Sequence, residues 1–162
     1  MAFILAKERS RDVLVAFRRY HKYLEGERHR FPAGALSLAT SEWYFDPADR
    51  RCPHDAWLLR LGIEETGRGN RNEVRSAGIS IELLGAYHDH LLTLRYSRVY
   101  RYALEATGVG AGHADWRYDE FRVNEQGHLE HEIEWSAQAQ TARWLIEADD
   151  VVLESSAIPG DA

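Results

Sequence analysis

The sequence predicts an α+β protein: N-terminal helices packed on one face of an antiparallel, strongly curved β-meander or half-barrel of about six strands. Two observations carry this. Apolar residues recur at helical spacing only within the first 45 residues, and from Trp57 onward the apolar period falls from about 3.6 to about 2 and stays there. Helices first and strands afterwards, rather than alternating units, excludes a parallel α/β sheet. The 162 residues make one domain, with 1–45 mainly helical, 56–155 antiparallel sheet and 156–162 a flexible tail.

Val13, Phe17, Tyr20 and Leu24 stripe one side of a helix that Ser10 or Asp12 can cap and Gly26 ends, with Arg18, Arg19 and Lys22 facing water. Pro32 suits the first turn of a shorter second helix, with Leu36, Ala39 and Trp43 at helical spacing. Residues 46–55 hold two prolines and no period, which makes them a loop. Trp57, Leu59, Leu61 and Ile63 alternate as a half-buried strand, and Ile79, Ile81 and Leu83 begin the next. Large residues then hold the even positions from Leu92 to Leu104, with Val99 the exception among the odd ones. This is one long strand, or two joined at a bulge near Ser97 and Arg98. Gly108, Gly110 and Gly112 mark a mobile loop. Residues 116–123 and 128–135 flank Asn124-Glu-Gln-Gly127 as a hairpin, and residues 142–148 and 150–155 give one or two closing strands.

Composition bounds the function. With 44% hydrophobic and 28% charged residues and only short apolar runs, disorder and a membrane-spanning helix are excluded. One cysteine, Cys52, and a start without a basic n-region predict a cytoplasmic protein with no disulfide framework. Residues 1–32 carry eight Lys or Arg against four acids, whereas residues 106–162 carry three against twelve. An acidic chain with dispersed arginines is a poor partner for nucleic acid.

Two short constellations invite chemistry. His88-Asp89-His90 places two histidines on one side of a strand, as in a metal site, but falls between two alternating strands, where a turn is the stronger reading. Cys52-Pro-His-Asp55 gathers a thiol, an imidazole and a carboxylate, yet close sequence neighbours seldom face one another as a working pair requires. The sequence calls for no metal and no cofactor.

The hairpin carries more. With Asn124 opposite Gly127, Trp116 pairs with Trp135, Tyr118 with Ile133, Glu120 with His131 and Arg122 with Leu129 on one face. Glu120 and His131 then form a carboxylate–imidazole pair among apolar residues, structural or catalytic, which His113 and Asp115 can extend towards a ligand. The opposite face carries Asp119, Glu130, Glu132 and Glu134 as an acidic ridge, suited to a basic protein partner.

The stretches Ala39-Thr-Ser-Glu-Trp-Tyr44, Arg51-Cys-Pro-His-Asp-Ala-Trp57, Leu84-Gly-Ala-Tyr-His-Asp89, Gly112-His-Ala-Asp-Trp-Arg-Tyr-Asp-Glu120, Glu130-His-Glu-Ile-Glu-Trp135 and Trp144-Leu-Ile-Glu147 resemble small uncharacterised bacterial proteins, domains of unknown function, over roughly residues 39–150. Such proteins can include immunity-type proteins of bacterial conflict systems. The resemblance implies no activity, cofactor or catalytic residue. The expectation is therefore a non-enzymatic protein-binding domain using its acidic sheet face; the alternative is a small-molecule or hydrolytic site around Glu120 and His131.

Overall fold

The helices end at Ala39, and the sheet begins at Trp57, where the apolar period changes. The computed structural model describes residues 1–106, 112–137 and 140–159, with the backbone alone for Glu8 and Ser10. After a 3-10 turn, Lys7–Ser10, come α1 (Val13–Glu27), a second 3-10 turn (Arg28–Arg30) and α2 (Ala33–Ala39). Six strands follow: β1 (Trp57–Thr66), β2 (Ser76–Leu84), β3 (His90–Leu104), β4 (Asp115–Val123), β5 (Leu129–Ala137) and β6 (Gln140–Ala157). The fold is α+β, as expected. Among the described residues no helix is long and apolar enough to cross a membrane.

The sheet is a closed barrel in the order β1-β2-β3-β6-β5-β4, all antiparallel, rather than an open meander or half-barrel. β6 takes the place beside β3 that a simple meander would give to β4. Closure rests on one strand bridge, Trp57 to Asp115. Beyond that bridge the free edge of β4 is satisfied by other groups. Asp55 N donates to Trp116 O and Trp116 N to Ala56 O, at 2.8 and 3.0 Å. Further along, the Tyr20 hydroxyl donates to Phe121 O and accepts from Phe121 N, and the Tyr23 hydroxyl accepts from Val123 N. Unpaired backbone groups are costly when buried, so the phenols of α1 do the work of a missing strand.

Bulges decide which side chains enter the barrel. In β3 the register shifts at Ser97 and Arg98, with Arg98 at φ 50°, so the bulge lies where the sequence placed it. Its effect is to invert the alternation: Leu92, Leu94 and Tyr96 face the core, then Val99 does, and Tyr100, at a second shift between Val99 and Arg101, is left nearly half exposed. A shift between Leu58 and Arg60 likewise leaves Trp57 and Leu59 largely exposed in β1. The core holds Trp116, Trp135, Trp144, Phe121, Ile81, Leu83 and Leu94, with α1 adding Tyr20 and Leu24.

Asp12 caps α1 by accepting from Val15 N at 3.1 Å. Gly26 does not end the helix; α1 continues to Glu27 and tightens into the Arg28–Arg30 turn. A Cβ on Gly26 would meet nothing within 4 Å. Gly26→Ala is therefore expected to stabilise the protein by about 0.5–1 kcal/mol and raise the Tm by roughly 1–4 °C, as scanning calorimetry would show. A lower Tm would contradict the uninterrupted helix. α2 is seated on β6: Gly34 N and Ala35 N donate to the Asp150 carboxylate at 2.9 and 2.8 Å. That approach requires glycine, since a Cβ on Gly34 would lie 2.2 Å from Val151 O.

At the other end of the chain, β6 absorbs part of the expected tail. Ala157 pairs with His90, and Ile158 N donates to Asp89 O at 2.8 Å. Residues 160–162, and Gly108 and Gly110 of the expected glycine loop, lie outside the described residues.

Candidate functional site: a buried polar chain beside the β4 bulge

The expected register, with Asn124 opposite Gly127, fails at the turn: Asn124 N donates to His128 O at 3.0 Å, so Asn124 lies opposite His128 and the loop holds three residues rather than two. Phe121 therefore pairs with His131, Glu120 with Glu132, Asp119 with Ile133 and Tyr118 with Glu134, and only a bulge between Tyr118 and Trp116 brings Trp116 back opposite Trp135. A one-residue slip exchanges faces. Asp119 consequently points into the barrel beside His131, and Glu120 points outward. The expected Glu120–His131 pair does not form, and Asp119 does not belong to the acidic ridge. The pairing of carboxylate and imidazole survives with a different carboxylate.

Inside the barrel, Asp119 and His131 are 3% and 0% exposed. Asp119 Oδ1 accepts from Trp116 Nε1 at 3.0 Å, and Oδ2 accepts from the Tyr44 hydroxyl at 2.9 Å and lies 2.8 Å from His131 Nε2. His131 Nδ1 is 2.7 Å from the Tyr96 hydroxyl. Burial first, and then the nearby Asp119 charge, hold the Tyr44 and Tyr96 phenols well above their usual range, so both remain donors. Donors and acceptors match throughout when His131 carries its proton on Nε2, gives it to Asp119 and accepts from Tyr96 at Nδ1. His131 also stacks on Phe121, ring centroids 4.1 Å apart.

One end of this chain reaches solvent-accessible space. Where the bulge interrupts β4, a pocket of about 200 Å³ opens, lined by Trp116, Arg117, Tyr118 and Asp119, by Val13 and Phe17 of α1, and by the 44–54 loop. Tyr44, Phe45, Pro47 and Pro53 supply apolar walls, and Cys52 and His54 also line it. Burial pushes the Cys52 thiol up to about 12, which leaves it protonated and a poor nucleophile. His54 Nδ1 is buried without a hydrogen bond. It lies 3.3 Å from Asp55 Oδ2, but out of bonding geometry, and Asp55 is engaged by Arg117 at 2.6 Å. A wider groove of about 820 Å³ between residues 1–6 and α1 has no buried charged group in its lining.

His113 and Asp115 do not join the cluster. His113 packs edge-on to Trp135 and Trp144 and meets His131 only through Trp135 and Trp116; burial lowers its pKa. Asp115 accepts from Trp57 Nε1 at 3.0 Å, at the barrel's closing bridge. In the turn joining β2 to β3, His88 has φ 58° and packs against Trp57, while His90 Nδ1 contacts Asp89 at 2.9 Å. The two imidazoles thus have different partners. Among the described residues no group of three or more His, Cys, Asp or Glu is placed to hold a metal.

Glu130, Glu132 and Glu134 do share the outer face of β5, but they are matched within the chain. Glu134 accepts from Arg9 at 2.8 Å and Arg143 at 2.9 Å, and Glu132 from Arg122 at 2.5 Å and Arg143 at 3.0 Å. Glu130 lies 3.5 Å from Arg101. Glu120, with no exposed surface, accepts from Phe3 N at 2.9 Å and Leu5 N at 3.1 Å and is paired with Arg122. Self-repulsion of the ridge is thereby cancelled by arginines from four separate segments, and the N-terminal segment lies over it.

Sequence reasoning singled out His131 and Asp119 for different faces and missed Tyr44 and Tyr96. Their only signal was that a buried Tyr must find a partner for its hydroxyl. Comparison with protein-family models, with curated proteins and with solved structures gives no match for this chain.

Proposed function

We propose that this barrel binds a small, predominantly apolar molecule carrying a hydrogen-bond donor, in the pocket at the β4 bulge. The observation behind it is the juxtaposition of apolar walls with the Asp119 carboxylate and with a buried His54 Nδ1 that makes no hydrogen bond. A few convergent polar groups in an otherwise apolar concavity are what a small-molecule site needs. Two accepted bonds and the His131 contact leave the Asp119 carboxylate about one lone-pair direction for a ligand N–H or O–H. A volume of about 200 Å³ is below the roughly 300–1,000 Å³ common for drug-sized ligands, so a single ring or short chain fits and a nucleotide cofactor does not.

The protein-binding alternative needs a free acidic face. Its carboxylates are occupied by Arg9, Arg101, Arg122 and Arg143, and Asp119 points inward. The small-molecule reading has no such obstacle.

Benzylamine and toluene, titrated into isotope-labelled protein and followed by amide chemical shifts, test the reading. Benzylamine is expected to shift resonances of residues 44–47, 52–54 and 116–119, toluene to do so more weakly, and Phe17→Trp, which enlarges a side chain in the pocket lining, to abolish both. Shifts elsewhere, or none for either probe, would refute a ligand site at the bulge.

A further inference from the structure

The two strands that meet at the barrel's closing bridge are treated unequally. The free edge of β4 is capped by the 55–56 turn and by the tyrosines of α1. Among the described residues β1 pairs with β4 only at Trp57, and beyond Leu58 no strand lies on that side of it. Leu59, Arg60, Ile63, Glu64, Glu65 and Thr66 are all exposed, with Leu59 and Ile63 at 53% and 42%. A long open edge with exposed apolar residues is a template for another strand.

The sequence of that edge is complementary to itself. Past the bulge, Leu61 and Ile63 share the inner face, opposite Ile81 and Ile79, so Arg60, Gly62 and Glu64 share the outer one. Directly opposed residues of an antiparallel pair lie on the same face. Only registers that keep inner with inner and outer with outer are therefore open to two copies of β1. Of these, the one with Gly62 opposite Gly62 sets Arg60 opposite Glu64 twice and Leu61 opposite Ile63 twice. Moving either way by one allowed step puts Arg60 against Gly62 or Thr66, and loses both ion pairs. Charges on an edge strand ordinarily blunt it; here their order about Gly62 selects one partner.

We propose that β1 pairs antiparallel with β1 of a second copy of this chain, Gly62 against Gly62, joining two barrels edge to edge. The in-chain claim on Arg60 is weak, a 3.7 Å approach to partly exposed Glu82 on the same outer face, and it leaves the guanidinium able to bridge Glu82 and the partner's carboxylate. Five residues a side bury less than the roughly 1,200 Å² of stable interfaces, so association is weak and depends on concentration.

Sedimentation velocity across a concentration series decides the matter. Wild-type protein is expected to dimerise below about 1 mM. Arg60→Glu, which sets two acids against two acids, and Glu64→Arg, which sets two bases against two bases, should each weaken the dimer at least about tenfold. Mixing the two variants restores both ion pairs and should restore association. Both residues are exposed, so thermal melts of the variants serve to confirm that the fold is retained. A wild type that stays monomeric at about 1 mM, single variants that dimerise as it does, or a mixture no better than its components would each overturn the proposal.

Discussion

Replacing Asp119 by alanine is expected to destabilise the barrel by about 3–5 kcal/mol, because removing one member of a buried charged network leaves the others without their partner. Tyr44, Trp116 and His131 would each keep a buried donor with nothing to accept it. Asp119→Asn should cost less, since its carbonyl can still accept, but its amide nitrogen would face a donor on one side. Urea denaturation at pH 7 would show the midpoint falling with the slope unchanged. A loss under about 1 kcal/mol for the alanine variant would mean that the chain from Tyr44 to Tyr96 contributes little to stability. The same experiment bears on the pocket, because the carboxylate that holds the interior together is the one a ligand would meet.

Arg122→Ala is expected to cost about 2–4 kcal/mol at neutral pH, through the opposite face of the same hairpin. Arg122 binds both Glu120, which is fully buried, and Glu132, so its loss leaves one buried carboxylate with two backbone amides and the other with Arg143 alone. The effect has a definite pH dependence. Burial raises the Glu132 pKa, but hydrogen bonds and charge from Arg122 and Arg143 outweigh it, and the net shift is downward. A carboxylate depressed by folding contributes stability that is complete above its unfolded value, about 4.3, and is lost as pH falls through the folded one. Wild type and variant should therefore differ most above about pH 5 and converge in acid. Denaturation at several pH values checks this, and a gap that persists undiminished near pH 3 would contradict it.

Periodicity made much of the architecture legible. The stripe Tyr20 and Leu24 with its Asp12 cap, the alternation of Ile79, Ile81 and Leu83, the β3 bulge at Ser97 and Arg98 and the hairpin at Asn124–Gly127 all express local stereochemistry, and all stand in the structure. The register of the hairpin reads correctly only at its far end, Trp116 opposite Trp135. There a bulge at Arg117 restores the pairing; from the turn onward the register is off by one, because Asn124 closes on His128 rather than Gly127 and the loop holds one residue more than expected. That one residue sends Asp119 inward and Glu120 outward, and with them the whole assignment of a polar site and an acidic face.

What the chain determines by itself is the class of each segment, since apolar period, caps and turn residues act within a few positions. Which carboxylate meets His131, which tyrosines close the open edge of β4, and which arginines cancel the Glu130–Glu134 row were decided only by tertiary structure. These contacts join residues as far apart as Leu5 and Arg143, or Tyr20 and Phe121. Burial makes an unmatched donor, acceptor or charge too costly to leave, and the partner is whichever group the closed barrel brings within reach.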